Sequence, residues 1–143
     1  MPLDLKRLFI CTFMGIGVLT STHGIWAQEK NEGIRVGFGA ICLDVQDRAP
    51  VGADTVFNSD VELLYCFTRI EGAKDSTTVT HLWYYGETKV SEGKLSVRSA
   101  RWRTYSKKEI NPKWTGRWNV VVLSEVGDPL AQLSFLIQAP QPE

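Results

Sequence analysis

The densest chemical signal in the chain is the stretch Arg101 to Val122, RWRTYSKKEINPKWTGRWNVVV. From Lys94 to Arg117 there are eight basic residues against one acid, Glu109. From Asp44 to Asp75 the balance reverses, with seven acids against three bases. Guanidinium groups beside flat aromatic faces suit anionic ligands, sugar rings and acidic protein surfaces. The candidate binding residues are therefore Arg101, Trp102, Arg103, Tyr105, Lys107 and Trp114. Trp102 and Thr104 share one parity, and Arg101, Arg103 and Tyr105 the other. The same residues would equally build an internal ladder, with arginines stacked on rings of neighbouring strands. Both readings stay open at the level of sequence.

Other chemistries find less support. Nucleophilic catalysis needs a Ser or Cys beside a general base. Past the first 27 residues His81 is the one histidine, and no strand-to-helix elbow presents a serine. His81 has no second ligand at metal spacing, so a structural role is expected. Asp54, Asn58 and Asp60 bring oxygens together, but without the glycine and terminal Glu of a calcium loop. Gly37-Phe38-Gly39 lacks the third glycine and the helix of a dinucleotide fingerprint. Paired carboxylates for glycoside hydrolysis stay formally open, although the acids lie mostly in turns. No cofactor and no metal are expected. A net charge of zero argues against a generic nucleic-acid binder.

These residues need a scaffold. Lys6 and Arg7 precede the apolar run Leu8–Leu19, followed by polar residues and Ile25-Trp26-Ala27, the three-part pattern of a cleaved signal peptide over residues 1–27. The run is too short to span a bilayer, so export to the periplasm or beyond, without membrane insertion after cleavage, is expected. Residues 28–34 read as a flexible lead-in, 35–138 as the domain and 139–143 as a tail. Cys11 leaves with the leader. Cys42 and Cys66 remain, an even pair that predicts a disulfide in an oxidising compartment. The alternative is two buried thiols.

Strands are expected at Arg35–Val45, Val61–Ile70, Thr77–Tyr85, Lys89–Arg98, from Trp118 to Val122 and around Leu133–Ile137. A bulge is expected at Glu92-Gly93, where the parity of apolar residues changes. Asp47–Asp60 and Arg101–Trp114 read as connections, and Trp83 and Trp118 as core. No amphipathic helix or internal repeat appears. The pattern predicts an all-β fold, an immunoglobulin-like antiparallel β-sandwich of six to seven strands.

The blocks GFGAICLDVQDRAPVG, LYCFTRIEGA, TTVTHLWYYG, VRSARWRTYSKK and WTGRWNVVVL, in this order, resemble the bacterial family called domain of unknown function 2914. The resemblance runs over about residues 35–137 and implies no activity, cofactor or ligand. The expected function is a non-enzymatic interaction module whose partner is a protein or a cell-envelope component. A carbohydrate-binding module for acidic glycans, with Trp102, Tyr105 and Trp114 as platform, is the alternative; a small hydrolase is the third.

Overall fold

The computed structural model describes residues 33–143; the leader expected over 1–27 and most of the lead-in lie outside them. The described residues are all-β, with no helix. Seven strands have eight residues or more: β1 (Arg35–Cys42), β5 (Leu63–Glu71), β6 (Thr77–Tyr85), β7 (Thr88–Val97), β8 (Arg101–Glu109), β9 (Gly116–Ser124) and β10 (Pro129–Gln138). Three short strands, β2 (Asp44–Gln46), β3 (Ala49–Val51) and β4 (Val56–Asn58), bring the total to ten. They form a three-stranded sheet in the order β1-β5-β8, a five-stranded sheet in the order β4-β10-β9-β6-β7, and the hairpin β2-β3.

The alternation of side chains decides how the sheets meet. In β9, Trp118, Val120 and Val122 are all fully buried, while Asn119 and Val121 between them are only partly so. In β5, Leu64, Cys66, Thr68 and Ile70 have no exposure. Inward residues of the two sheets meet in one cluster, where Ile41, Leu64 and Cys66 join Trp83, Trp118, Val120 and Phe135. Phe135 is central to it. Its ring is 5.9 Å from Trp118, 6.1 Å from Phe57 and 6.2 Å from Trp83. Such aromatic pairs contribute about 0.5–1.5 kcal/mol each beyond area burial. A second cluster gathers Ile70, Val79, Val97 and Val122, with Trp102 packed on its margin.

Several expectations need correction. Arg101–Glu109 is a strand, not a connection. It is amphipathic in an unusual way. Its inward positions are Trp102, Thr104, Ser106 and Lys108 rather than aliphatic residues, so the hydrophobic signal of a strand is missing. The connection expected over 47–60 holds the β2-β3 hairpin and β4. The pairing is not wholly antiparallel, since β4 runs parallel to β10, with Phe57 opposite Ile137. The bulge in β7 lies at Val90, because Trp83 pairs with Ser91 and Tyr84 with Lys89. Val90 packs on the first cluster, and that burial fixes the extra residue there rather than at Gly93.

The expected disulfide is absent: Cys42 and Cys66 are free and buried. Register explains this. Cys66 sits opposite Ile41 and shares its cluster, whereas Cys42, the next residue, sits opposite Tyr65. Successive strand residues point to opposite faces, so the two thiols diverge. The Cys42 thiol instead lies 3.8 Å from the Tyr65 carbonyl. Burial raises the pKa of both thiols above the ordinary value.

Candidate anion-binding face

The outward positions of β8 are Arg101, Arg103, Tyr105, Lys107 and Glu109, all exposed. Pairing with β5 sets Glu71 beside Arg101, Arg69 beside Arg103, Phe67 beside Tyr105 and Tyr65 beside Lys107. On the far side β1 sets Phe38 beside Arg69. The outer face of this sheet therefore carries cations and aromatic rings in adjoining rows. Tyr65 and Tyr105 lie 5.7 Å apart between centroids, and Phe38 meets Phe67 edge-on at 6.1 Å. Phe38 and Tyr105 are each nearly half exposed.

Two arginines on this face share one carboxylate. Glu71 pairs with Arg69 at 3.0 Å and with Arg35 at 3.4 Å. The Arg69 guanidinium also lies 6.0 Å from the Phe38 ring centroid. The sequence allows this through Gly37. The register shifts between Val36 and Phe38, and a Cβ on Gly37 would collide with the Glu71 carboxylate. The bulge that glycine permits thus turns Phe38 outward and seats the ion pair.

The β2-β3 hairpin lies over the same face. Its turn residues Asp47 and Arg48 have φ of 51° and 60°. Two left-handed central residues make the turn of the type that matches strand twist, here without the glycine that usually takes it. Arg103 donates an Nη1 hydrogen bond of 3.3 Å to the Arg48 carbonyl and fastens the tip to β8. Arg48, Arg101 and Arg103 line a cleft of about 390 Å³ together with Ser99 and Trp102. Among the described residues none of these three arginines has an ion-pair partner. Arg48 and Arg103 also border a cleft of about 200 Å³ with Phe38, Pro50, Phe67 and Arg69.

The six sequence candidates are not brought to one place. Arg101, Arg103, Tyr105 and Lys107 share the outer face. Trp102 has the opposite parity and packs beside Ile70, Val79 and Val97, although it also borders the arginine cleft. Trp114 lies in the β8-β9 loop, stacked on Tyr85 at 5.3 Å and 11°. Its carbonyl accepts the Trp118 indole hydrogen at 3.0 Å, and Tyr85 donates to the Thr115 carbonyl at 2.7 Å. Trp102, Tyr105 and Trp114 therefore form no common stacking platform. Arg48, Phe38, Phe67 and Arg69 were outside the sequence candidates. The two-residue turn Asp47-Arg48 between short β-prone runs was the available signal, weakened by the missing glycine.

His81 has a different setting. It is fully buried between the sheets, with Nδ1 2.7 Å from Ser106 Oγ and Nε2 3.1 Å from Thr68 Oγ1. Trp83 donates its indole hydrogen to the same Ser106 oxygen at 3.0 Å. Burial lowers the His81 pKa to about 4, so the ring is neutral at pH 7. Both ring nitrogens are engaged by hydroxyls and the ring has no solvent access, which makes it a link between β6, β5 and β8. The Asp54 carboxylate, one of the three oxygen residues of the 54–60 loop, caps the Thr55 amide at 2.7 Å.

No curated protein matches the chain. Over residues 76–137, from β6 to the end of β10, the chain matches the family model described as Protein of unknown function (DUF2914), and its resemblance to that family rests on this C-terminal stretch of strands.

Proposed function

We propose that the chain is an exported, non-enzymatic binding module, an immunoglobulin-like β-sandwich that engages an anionic protein or cell-envelope component. The leader pattern of residues 1–27 supports export. Two sheets sharing one aromatic core support the sandwich. The observation that carries the binding role is the outer face of the three-stranded sheet, where Arg48, Arg101 and Arg103 stand without carboxylate partners beside exposed Phe38 and Tyr105. A purely structural ladder would pair its cations, as Glu71 pairs Arg69 and Arg35. Arginine and aromatic side chains are also the types that dominate binding energy at protein interfaces.

The test is capture from envelope extract with the purified chain and with an Arg101→Glu/Arg103→Glu variant. Capture that weakens with added salt and is lost in the variant supports the reading, since exposed charges are screened over about 8–10 Å. Equal capture by both proteins at high salt would refute it. Retention on acidic polysaccharide alone would move the partner to the glycan class.

A further inference from the structure

We infer that the hairpin tip and β8 form a discrete site for one oxyanion group, carboxylate or phosphate, joined to an aromatic ring. The inference rests on the binding role just proposed and narrows it to a ligand chemistry. Three features of the structure carry it.

The first is charge. Arg48, Arg101 and Arg103 come from a turn and two positions of one strand, and they border the same cleft. No carboxylate lines that cleft; Asp47, next to Arg48 in sequence, borders neither cleft. Like charges gathered without a counter-ion destabilise one another, and a bound oxyanion reverses the sign of that effect. Guanidinium forks also match the spacing of two oxygens of a carboxylate or phosphate, which they hold by paired N–H bonds. Arg103 donates one of its N–H groups to the Arg48 carbonyl and keeps the others for a ligand.

The second is backbone strain. Arg48 holds φ of 60° in a turn where glycine or asparagine would sit at lower cost. A left-handed arginine at that tip costs stability in the free protein. It is understandable if the side chain is needed in the cleft.

The third is the neighbouring apolar space. The second cleft shares Arg48 and Arg103 with the first, so these two residues wall both. Its other walls include Phe38, Pro50 and Phe67. An anion held by the arginines can therefore place an attached ring against Phe38 and Pro50. A bare anion would leave that space unfilled, and an uncharged ring would leave the cations unpaired.

The test uses the full chain and three probes, phenyl phosphate, phenylacetate and inorganic phosphate, titrated by NMR with the backbone and arginine side-chain resonances assigned. The expected result is saturable shifts at Arg48, Ser99, Arg101 and Arg103 with at least one organic anion. Which organic anion binds tighter identifies the headgroup. Inorganic phosphate should bind about tenfold more weakly, as should the organic anion to Arg48→Gly and to Arg103→Gln. Lys89→Gln, on β7, should leave affinity unchanged. Absence of saturation by both organic anions, equal affinity for inorganic phosphate, or indifference to Arg48→Gly would each overturn the site. Envelope capture that persists and still depends on Arg101 and Arg103 would then leave the broader binding role standing.

Discussion

β8 serves two regions that treat polar groups in opposite ways. Its inward residue Ser106 enters a closed network in which His81, Thr68 and Trp83 each find a partner. Its outward residues Arg101 and Arg103, with Arg48 above them, leave guanidinium groups facing a cleft. The interior network resembles the way a fold satisfies what it buries, because an unpaired buried group costs about 1–3 kcal/mol. On the outer face Arg48, Arg101 and Arg103 carry charge without an ion-pair partner among the described residues. One strand with strict alternation thus turns a satisfied polar network to one side and unpaired guanidinium groups to the other.

That contrast can be broken from the inside first. Ser106→Ala removes one oxygen and leaves both His81 Nδ1 and the Trp83 indole without a partner, while the Cβ packed near Gly93 is kept. We expect a loss of about 2–5 kcal/mol in urea unfolding, because two buried groups are orphaned. Acid should act on the same network. The His81 pKa is near 4 when folded and about 6.5 when unfolded, so the unfolded chain binds more protons between those values. The contribution is whole above pH 6.5 and falls by about 3 kcal/mol as pH drops to 4. His81→Gln should flatten that slope in unfolding curves measured across the window.

The outer face should respond in the opposite sense. Arg48→Gly relaxes a left-handed residue and should raise stability by about 1 kcal/mol while weakening ligand binding. A destabilised variant would show that the turn is unstrained and the arginine structural. Arg103→Gln should change unfolding free energy least, by no more than about 0.5 kcal/mol, because the residue is exposed and its one hydrogen bond is at the surface. A loss of 2 kcal/mol would place Arg103 among the structural residues and remove the contrast.

Strands rich in buried apolar residues were legible in the sequence. Thr77–Tyr85 has the bounds its β-branched and aromatic content predicts, and Trp83 and Trp118 are buried. The turns at Gly86 and Gly127, both at positive φ, were readable from glycine alone. β8 was not, because its inward face is Trp-Thr-Ser-Lys and a polar inward face hides the period of a strand. The charged stretch was recognised, but its division into two faces needed the pairing with β5. Trp114 was grouped with Trp102 and Tyr105 by proximity in sequence, whereas tertiary stacking on Tyr85 takes it elsewhere. Cysteine parity suggested a bridge that a one-residue offset in register forbids.

The parallel pair of β4 and β10 has a consequence for how the chain acquires its fold. β4 enters the five-stranded sheet through β10 alone, and β10 is the last strand. Asn58 and Gln138 are 80 residues apart in sequence and opposite in register. Phe57 can reach Phe135 only once the final strand has been made and docked. Until then Trp83, Trp118 and Val120 lack the ring that closes over them, and a chain interrupted before residue 129 exposes an aromatic surface prone to association. Such long-range closure predicts slow, late-committing folding, with the C-terminal strand as the latch.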